Sequence, residues 1–179
     1  MKKLIIIFLA TVLFFGCSKN DETPTAAADQ LPPATQTGAK KVGCLVNGQV
    51  LLPRGSNPFG PPISTCSYQF IDGSYEFGLG FTNDKDGFKG ITILSNKQMF
   101  VQGQTYLLKQ ELIVNSCYAY YNEGLLYFGT NTINTGELKI TKLDQTNAII
   151  SGTFWFDAVN SAGVKVEVRE GRFDMQYSQ

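Results

Sequence analysis

The stretch IISGTFWFDAVNSAGVKVEVREGRFDMQY, residues Ile149 to Tyr177, decides the class of fold. Over Ile149 to Ala158 the residues Ile150, Phe154 and Phe156 fall on one side of an extended chain, because successive side chains of a strand point to opposite faces. Asn160 to Gly163 supplies turn residues. Beyond it Val164, Val166 and Val168 alternate in one phase, while Phe173, Met175 and Tyr177 alternate in the other. A slip of one residue would turn the second apolar set to the wrong side of the sheet. Glu170-Gly171 stands between the two sets and can insert the extra residue as a β-bulge, which restores the apolar face. The stretch therefore reads as a hairpin of two long strands with a bulge in the second.

The same period of two continues toward the N-terminus. Val42 to Val46 and Gln49 to Leu52 flank Asn47-Gly48, the dipeptide that best supports a type I′ turn, since both central residues need positive φ. Tyr75 to Thr82 sets Phe77, Leu79 and Phe81 against Glu76, Gly78, Gly80 and Thr82, and Asn83 to Gly87 reads as a turn. Further strands are expected at Phe88 to Leu94, Thr105 to Leu108, Leu125 to Thr130 and Glu137 to Lys142. Helical periodicity is absent beyond the first sixteen residues. The expected fold is all-β, an antiparallel β-sandwich or barrel of about 8–10 short strands over residues 40–179.

The first sixteen residues differ in kind. Lys2 and Lys3 precede an apolar run from Leu4 to Phe15, broken only by Thr11, and Gly16 stands before Cys17. Twelve residues of helix reach about 18 Å against a hydrocarbon core of about 30 Å, so the run reads as a signal peptide and not as a membrane span. Gly16-Cys17 resembles the lipobox of bacterial lipoproteins, which implies cleavage before Cys17 and acylation of its sulfur; the alternative is an ordinary signal peptide cut elsewhere. Two or three acyl chains make a stable anchor where one does not. Ser18 in place of Asp argues against retention at an inner membrane, and Lys19-Asn20-Asp21-Glu22 resembles the acidic signal that directs lipoproteins to the outer face of an outer membrane. Residues 17–39 hold Pro24, Pro32, Pro33 and no aromatic side chain, and they read as a lipidated flexible tether that buries too little to order itself.

Composition excludes several functions. The formal net charge is zero, and loss of Lys2 and Lys3 with the leader leaves 13 basic against 15 acidic residues, so no basic footprint for nucleic acid exists. Histidine is absent from the chain, which removes Ser-His-Asp and Cys-His nucleophiles and most catalytic zinc sites. Cys44, Cys66 and Cys117 lack a C-x-x-C pair. Cys44 is in phase with Val42 and Val46, and Cys66 with Tyr68 and Phe70, so both are expected to face inward. Either one disulfide forms and one thiol is left over, or all three are buried small hydrophobes.

VGCLVNGQVLLP (Val42 to Pro53) and TGELKITKLDQTNAIISGTFWFDAVNSAGVKVEVREGRFDMQY (Thr135 to Tyr177), taken with Cys17, resemble the two ends of a family of short Bacteroidota cell-envelope lipoproteins of unknown function. In that family an Asn-Gly hairpin opens the domain, and a G-T-F-x-F-x-A … G-R-F-D ending closes it. The resemblance implies an envelope lipoprotein and brings neither an activity nor catalytic residues.

Four residue sets could carry chemistry. Asp157, Glu167, Glu170 and Asp174 are candidate acid/base carboxylates, but they alternate with Arg169 and Arg172 and read better as solvated cross-strand ion pairs. Thr82 to Gly87 mimics part of a calcium loop, with Asp84 and Asp86 in place and both anchoring ends missing, so it is expected to be a turn and no metal is expected. Gly78 and Gly80 lack the third glycine and the helix of a nucleotide loop. Tyr118 and Tyr120 in CYAYYNEG share a strand face opposite Tyr121 and are the candidate ligand-binding pair, by stacking on a sugar or anchoring a protein. The expected function is a non-catalytic, lipid-anchored binder of a glycan, peptide or envelope partner, without a cofactor. A carboxylate-based hydrolase and an inhibitor of a foreign enzyme are the alternatives.

Overall fold

The computed structural model describes residues 27–55, 62–85, 87–110 and 114–179. Eleven strands lie among them: β1 (Lys41–Val46), β2 (Gln49–Leu51), β3 (Ser64–Ile71), β4 (Ser74–Asn83), β5 (Lys89–Asn96), β6 (Thr105–Leu108), β7 (Ser116–Glu123), β8 (Leu126–Gly129), β9 (Gly136–Asp144), β10 (Ile149–Val159) and β11 (Lys165–Gln176). They form one sheet in the order β2-β1-β11-β10-β9-β6-β7-β5-β4-β3, with β8 bridging β7 and β10. Between the named strands the pairings are antiparallel except at Leu108 with Cys117, where β6 meets β7 in parallel. The chain is all-β.

The sheet closes on itself. Ser178, just past β11, bridges Ser67 on β3. Tyr68 N–H donates to Ser178 O at 3.0 Å, and Ser178 N–H donates to Cys66 O at 3.0 Å. The edge of the last strand in the path thus meets the end of the chain, and a barrel results, which removes an exposed edge. Its interior is a single apolar cluster running from Val42 to Tyr177. One end is stopped by Phe100, only 3% exposed, whose N–H donates to Tyr68 Oη at 2.8 Å while its ring lies 5.1 Å from Phe77 and 4.7 Å from Tyr106.

The bulge expected at Glu170-Gly171 is present and acts on both neighbours of β11. Register against β10 shifts between Phe154 and Phe156, and register against β1 shifts between Gly43 and Leu45. Glu170 takes the left-handed conformation, φ 53°. A Cβ on Gly171 would stand 2.4 Å from the Phe154 ring, so the bulge and the core packing require glycine together. Val166, Val168, Phe173 and Met175 all end up inside. Asn47 and Gly48, φ 48° and 78°, make the expected turn between β1 and β2.

Three expectations need correction or completion. Residues 27–39 are not a loose tether. A 3-10 turn at Ala27–Gln30 packs on β1 and β2, Leu31 is buried, and the strap continues across the outer face of β11. Composition alone misjudged it, because its order comes from one buried apolar residue and from a polar anchor far away in sequence. Cys17 and residues 18–26 lie outside the described residues. Phe70, expected inside with Cys66 and Tyr68, is 66% exposed, because β3 runs past the core there. Finally, Cys44, Cys66 and Cys117 are all free thiols and all buried, which selects the second of the two cysteine readings. Burial pushes the Cys66 and Cys117 thiols up to about 12 and the Cys44 thiol higher still.

Candidate functional site

An open cleft of about 490 Å³ lies on the outer face of β6, β9, β10 and β11. Strand alternation builds it. Phe154 and Phe156 point inward, so Thr153, Trp155 and Asp157 must point outward. Trp155 is paired with Glu137 on β9, and Thr153 with Lys139 on β9 and Arg172 on β11. Ala34 of the N-terminal strap joins these residues in the cleft wall.

Trp155 is held from two sides. Its Nε1–H donates to Glu137 Oε2 at 3.3 Å, and the Arg169 guanidinium lies 5.5 Å from the centre of its ring. Arg169 is in turn fixed by Asp157: Nη2 to Oδ1 is 2.6 Å, and Nη1 donates to the carbonyls of Phe156 and Val168. Lys165 Nζ completes the group at 2.8 Å from Asp157 Oδ2. Burial raises the Asp157 carboxyl, but the bonds from Lys165 and Arg169 outweigh it and leave the group below the usual carboxylate range. The indole is therefore an oriented platform, 37% exposed, in a wall that carries the charged side chains of Glu137, Lys139, Arg169, Glu170 and Arg172.

Of the four candidate carboxylates, Asp157 and Glu167 belong to this ion-pair group and Glu170 pairs with Arg172 at 3.5 Å. Asp174 was expected to be another solvated partner of the arginines, and it is not. It is 1% exposed beneath the strap, where it accepts hydrogen bonds from Thr35 Oγ1, Thr37 N, Gly38 N, Ala39 N and Ser151 Oγ. Burial alone would raise its carboxyl; the bonds from Thr35, Thr37, Ser151 and Gly38 overcome that and hold it well below the usual range. Its place on β11 is outward-facing, as alternation requires, and the strap then covers that outward face. Only Glu170 of the four lines the cleft.

Tyr118 and Tyr120 lie half-buried on the outer face of β7, with Tyr121 buried on the inner face. Tyr120 packs 5.2 Å from Tyr127 on β8. Tyr118 borders a smaller depression of about 210 Å³ with Glu76, Ser95 and Asn96. The two tyrosines thus share a face, as alternation predicts, but they stand apart from the Trp155 cleft. Thr82 and Asn83 end β4, and Lys85 N–H donates to Asn83 Oδ1 at 3.1 Å; Asp86 lies outside the described residues. Among the described residues no group of three His, Cys, Asp or Glu side chains is placed to hold a metal ion.

Trp155, Lys139 and Thr153 were not among the residues singled out from sequence. A signal existed, because the only tryptophan of the chain falls on the outward phase between two inward phenylalanines.

A family model described as a domain of unknown function, DUF6252, matches residues 73–175. That span holds both strands of the Ile149–Tyr177 hairpin up to Met175, every strand-borne residue of the cleft, and Tyr118 and Tyr120. No curated protein matches the chain. No solved structure matches it.

Proposed function

The chain belongs to the family of the domain of unknown function DUF6252, and from that premise we propose that it is a lipid-anchored envelope protein whose barrel binds a ligand without transforming it. The observation that carries the binding part is the Trp155 cleft. An exposed indole is fixed by Glu137 and Arg169 on paired strands and walled by charged side chains. Such rigid aromatic surfaces bind with little loss of conformational freedom. The carboxylates suggested for hydrolysis support binding better than catalysis, because Asp157 and Glu167 are tied to Lys165 and Arg169 and Asp174 is saturated by donors under the strap.

The anchor reading rests on Gly16-Cys17 after a short apolar leader and on the resemblance to Bacteroidota envelope lipoproteins. It places the protein in the outer membrane, with Lys19-Asn20-Asp21-Glu22 favouring the outer face. Ten residue steps separate Cys17 from Ala27, where the strap is already docked on the barrel, and they reach at most about 35 Å. The barrel is thus kept within about one domain diameter of the bilayer.

The test has two arms. Cys17→Ser should abolish detergent-phase partitioning and uptake of labelled fatty acid; retention of both sinks the anchor. On an array of envelope glycans and proteins, Trp155→Ala should lose retention while Tyr118→Ala and Tyr120→Ala keep it. The reverse pattern would move the site to β7, and turnover of a polysaccharide by the purified protein would overturn non-catalytic binding.

A further inference from the structure

Four outward side chains form one row across the floor of the cleft. Thr105 pairs with Lys139, Lys139 with Thr153, and Thr153 with Arg172, on β6, β9, β10 and β11 in turn. Directly opposed residues in an antiparallel pair have Cβ atoms about 5 Å apart, so Lys139 and Arg172 flank Thr153 with roughly 10 Å between their stems. The threonine is short and the flanking cations are long, which leaves a gap with a positive group on each side and a hydroxyl at its base. Trp155 borders the gap from the adjacent row, and Ala34 closes the side toward the strap.

The charges around this gap are not all neutralised. Glu137 is committed to Trp155 Nε1, Glu170 to Arg172, and Arg169 to Asp157 and Glu167. Lys139 has no ion-pair partner among the described residues. A peptide strand gains no backbone partners here, because β9, β10 and β11 are each paired along both edges. A sugar ring needs no such edge. It can lay its C–H face on an indole and its hydroxyls among short polar side chains.

We propose that the cleft binds a saccharide carrying a carboxylate, with the acid group between Lys139 and Arg172 above Thr153 and the sugar ring beside Trp155. The proposal rests on the reading of the barrel as a binding protein and names the ligand class of that same site.

Trp155 is the only tryptophan in the chain, so intrinsic tryptophan emission reports this cleft alone. Emission of the full-length protein would be titrated with a galacturonic acid trisaccharide, a sialylated trisaccharide, a neutral galactose trisaccharide, an oligoglutamate peptide and inorganic phosphate. At least one acidic sugar should give a saturable change, at least tenfold tighter than the neutral sugar, and weaker as salt is raised. Lys139→Gln and Arg172→Gln should each weaken it at least tenfold with an unchanged melting temperature. Equal affinity for the neutral sugar would overturn the acidic specificity and leave the binding reading standing. Tighter binding of oligoglutamate, or of phosphate alone, would overturn the saccharide. No saturable change with either acidic sugar overturns the proposal, whereas failure of the binding reading itself shows as wild-type array retention by Trp155→Ala.

Discussion

Thr35 Oγ1 donates a 2.6 Å hydrogen bond to Asp174 Oδ2 across 139 residues of sequence. The carboxylate gathers further donors from Thr37, Gly38, Ala39 and Ser151, so one buried charge fixes the N-terminal strap to the barrel. Among the described residues no cation forms an ion pair with it, and hydrogen bonds stabilise the charge, as at a helix N-cap. Asp174→Asn would place an amide NH₂ among donors. The expected loss is about 3 kcal/mol or more, since charged hydrogen bonds are removed and donors are left unpaired. Backbone amides of residues 35–39 should then exchange rapidly while β9 and β10 stay protected. Unchanged protection of those amides would show that the strap does not depend on Asp174.

The same carboxylate sets a pH dependence. Its folded-state pKa is depressed, so its contribution is fully present above the unfolded value of about 3.9 and is lost as pH falls through that value toward the folded one. The protection factors of the strap amides, corrected for intrinsic exchange, should stay flat from pH 7 to about 5 and fall below about 4. In Asp174→Asn that acid-induced loss of protection should vanish. A transition centred near pH 6 would point to a different group.

Much of this barrel is legible along the chain, and the reason is local. The hairpin of β10 and β11, its bulge and the Asn47-Gly48 turn all follow from alternation and φ preferences within a few residues. Asp174 was misread because nothing near it in sequence shows that Thr35 to Ala39 will cover its outward face. The Trp155 cleft is half legible. Alternation puts the indole outside, but which residues stand beside it depends on the register of β9 with β10 and on the bulge, and both are properties of the assembled sheet. Phe70 failed for a related reason, since alternation gives a face but not the length over which the core extends.

The bulge makes a sharp stability prediction. Gly171→Ala puts a methyl group 2.4 Å from the Phe154 ring and 2.6 Å from the Phe154 carbonyl oxygen. Overpacking of that kind costs about 1–3 kcal/mol, or about 3–10 °C of melting temperature in a chain of this size. Phe154→Leu in the same chain should recover part of the loss by vacating the clash with the ring, although not with the backbone oxygen. A melting temperature within 1 °C of wild type for Gly171→Ala, in a thermal scan followed by circular dichroism, would mean that β11 can shift its register to accommodate a side chain.

The buried thiols supply the last prediction. Cys66 and Cys117, pushed up to about 12, and Cys44, raised beyond them, hold almost no thiolate near neutral pH, and each lies at 8% exposure or less. Thiolate is the reactive form, so the folded protein should be inert to an aromatic disulfide reagent at pH 8 for as long as it stays folded. Denatured without reductant, the mature monomer should release three thiols from these positions. The reaction rate under native conditions then becomes a measure of barrel opening, because Cys44 and Cys66 lie on β1 and β3 and Cys117 lies on β7 at the parallel junction. A count of one after denaturation would reveal a disulfide and refute the thiol assignment. Rapid native labelling of Cys117 alone, with Cys44 and Cys66 protected, would locate the weakest seam at β6 and β7, where a single residue pair joins the strands. Equal, slow labelling of all three is the expected result, since one continuous core opens as one cooperative unit.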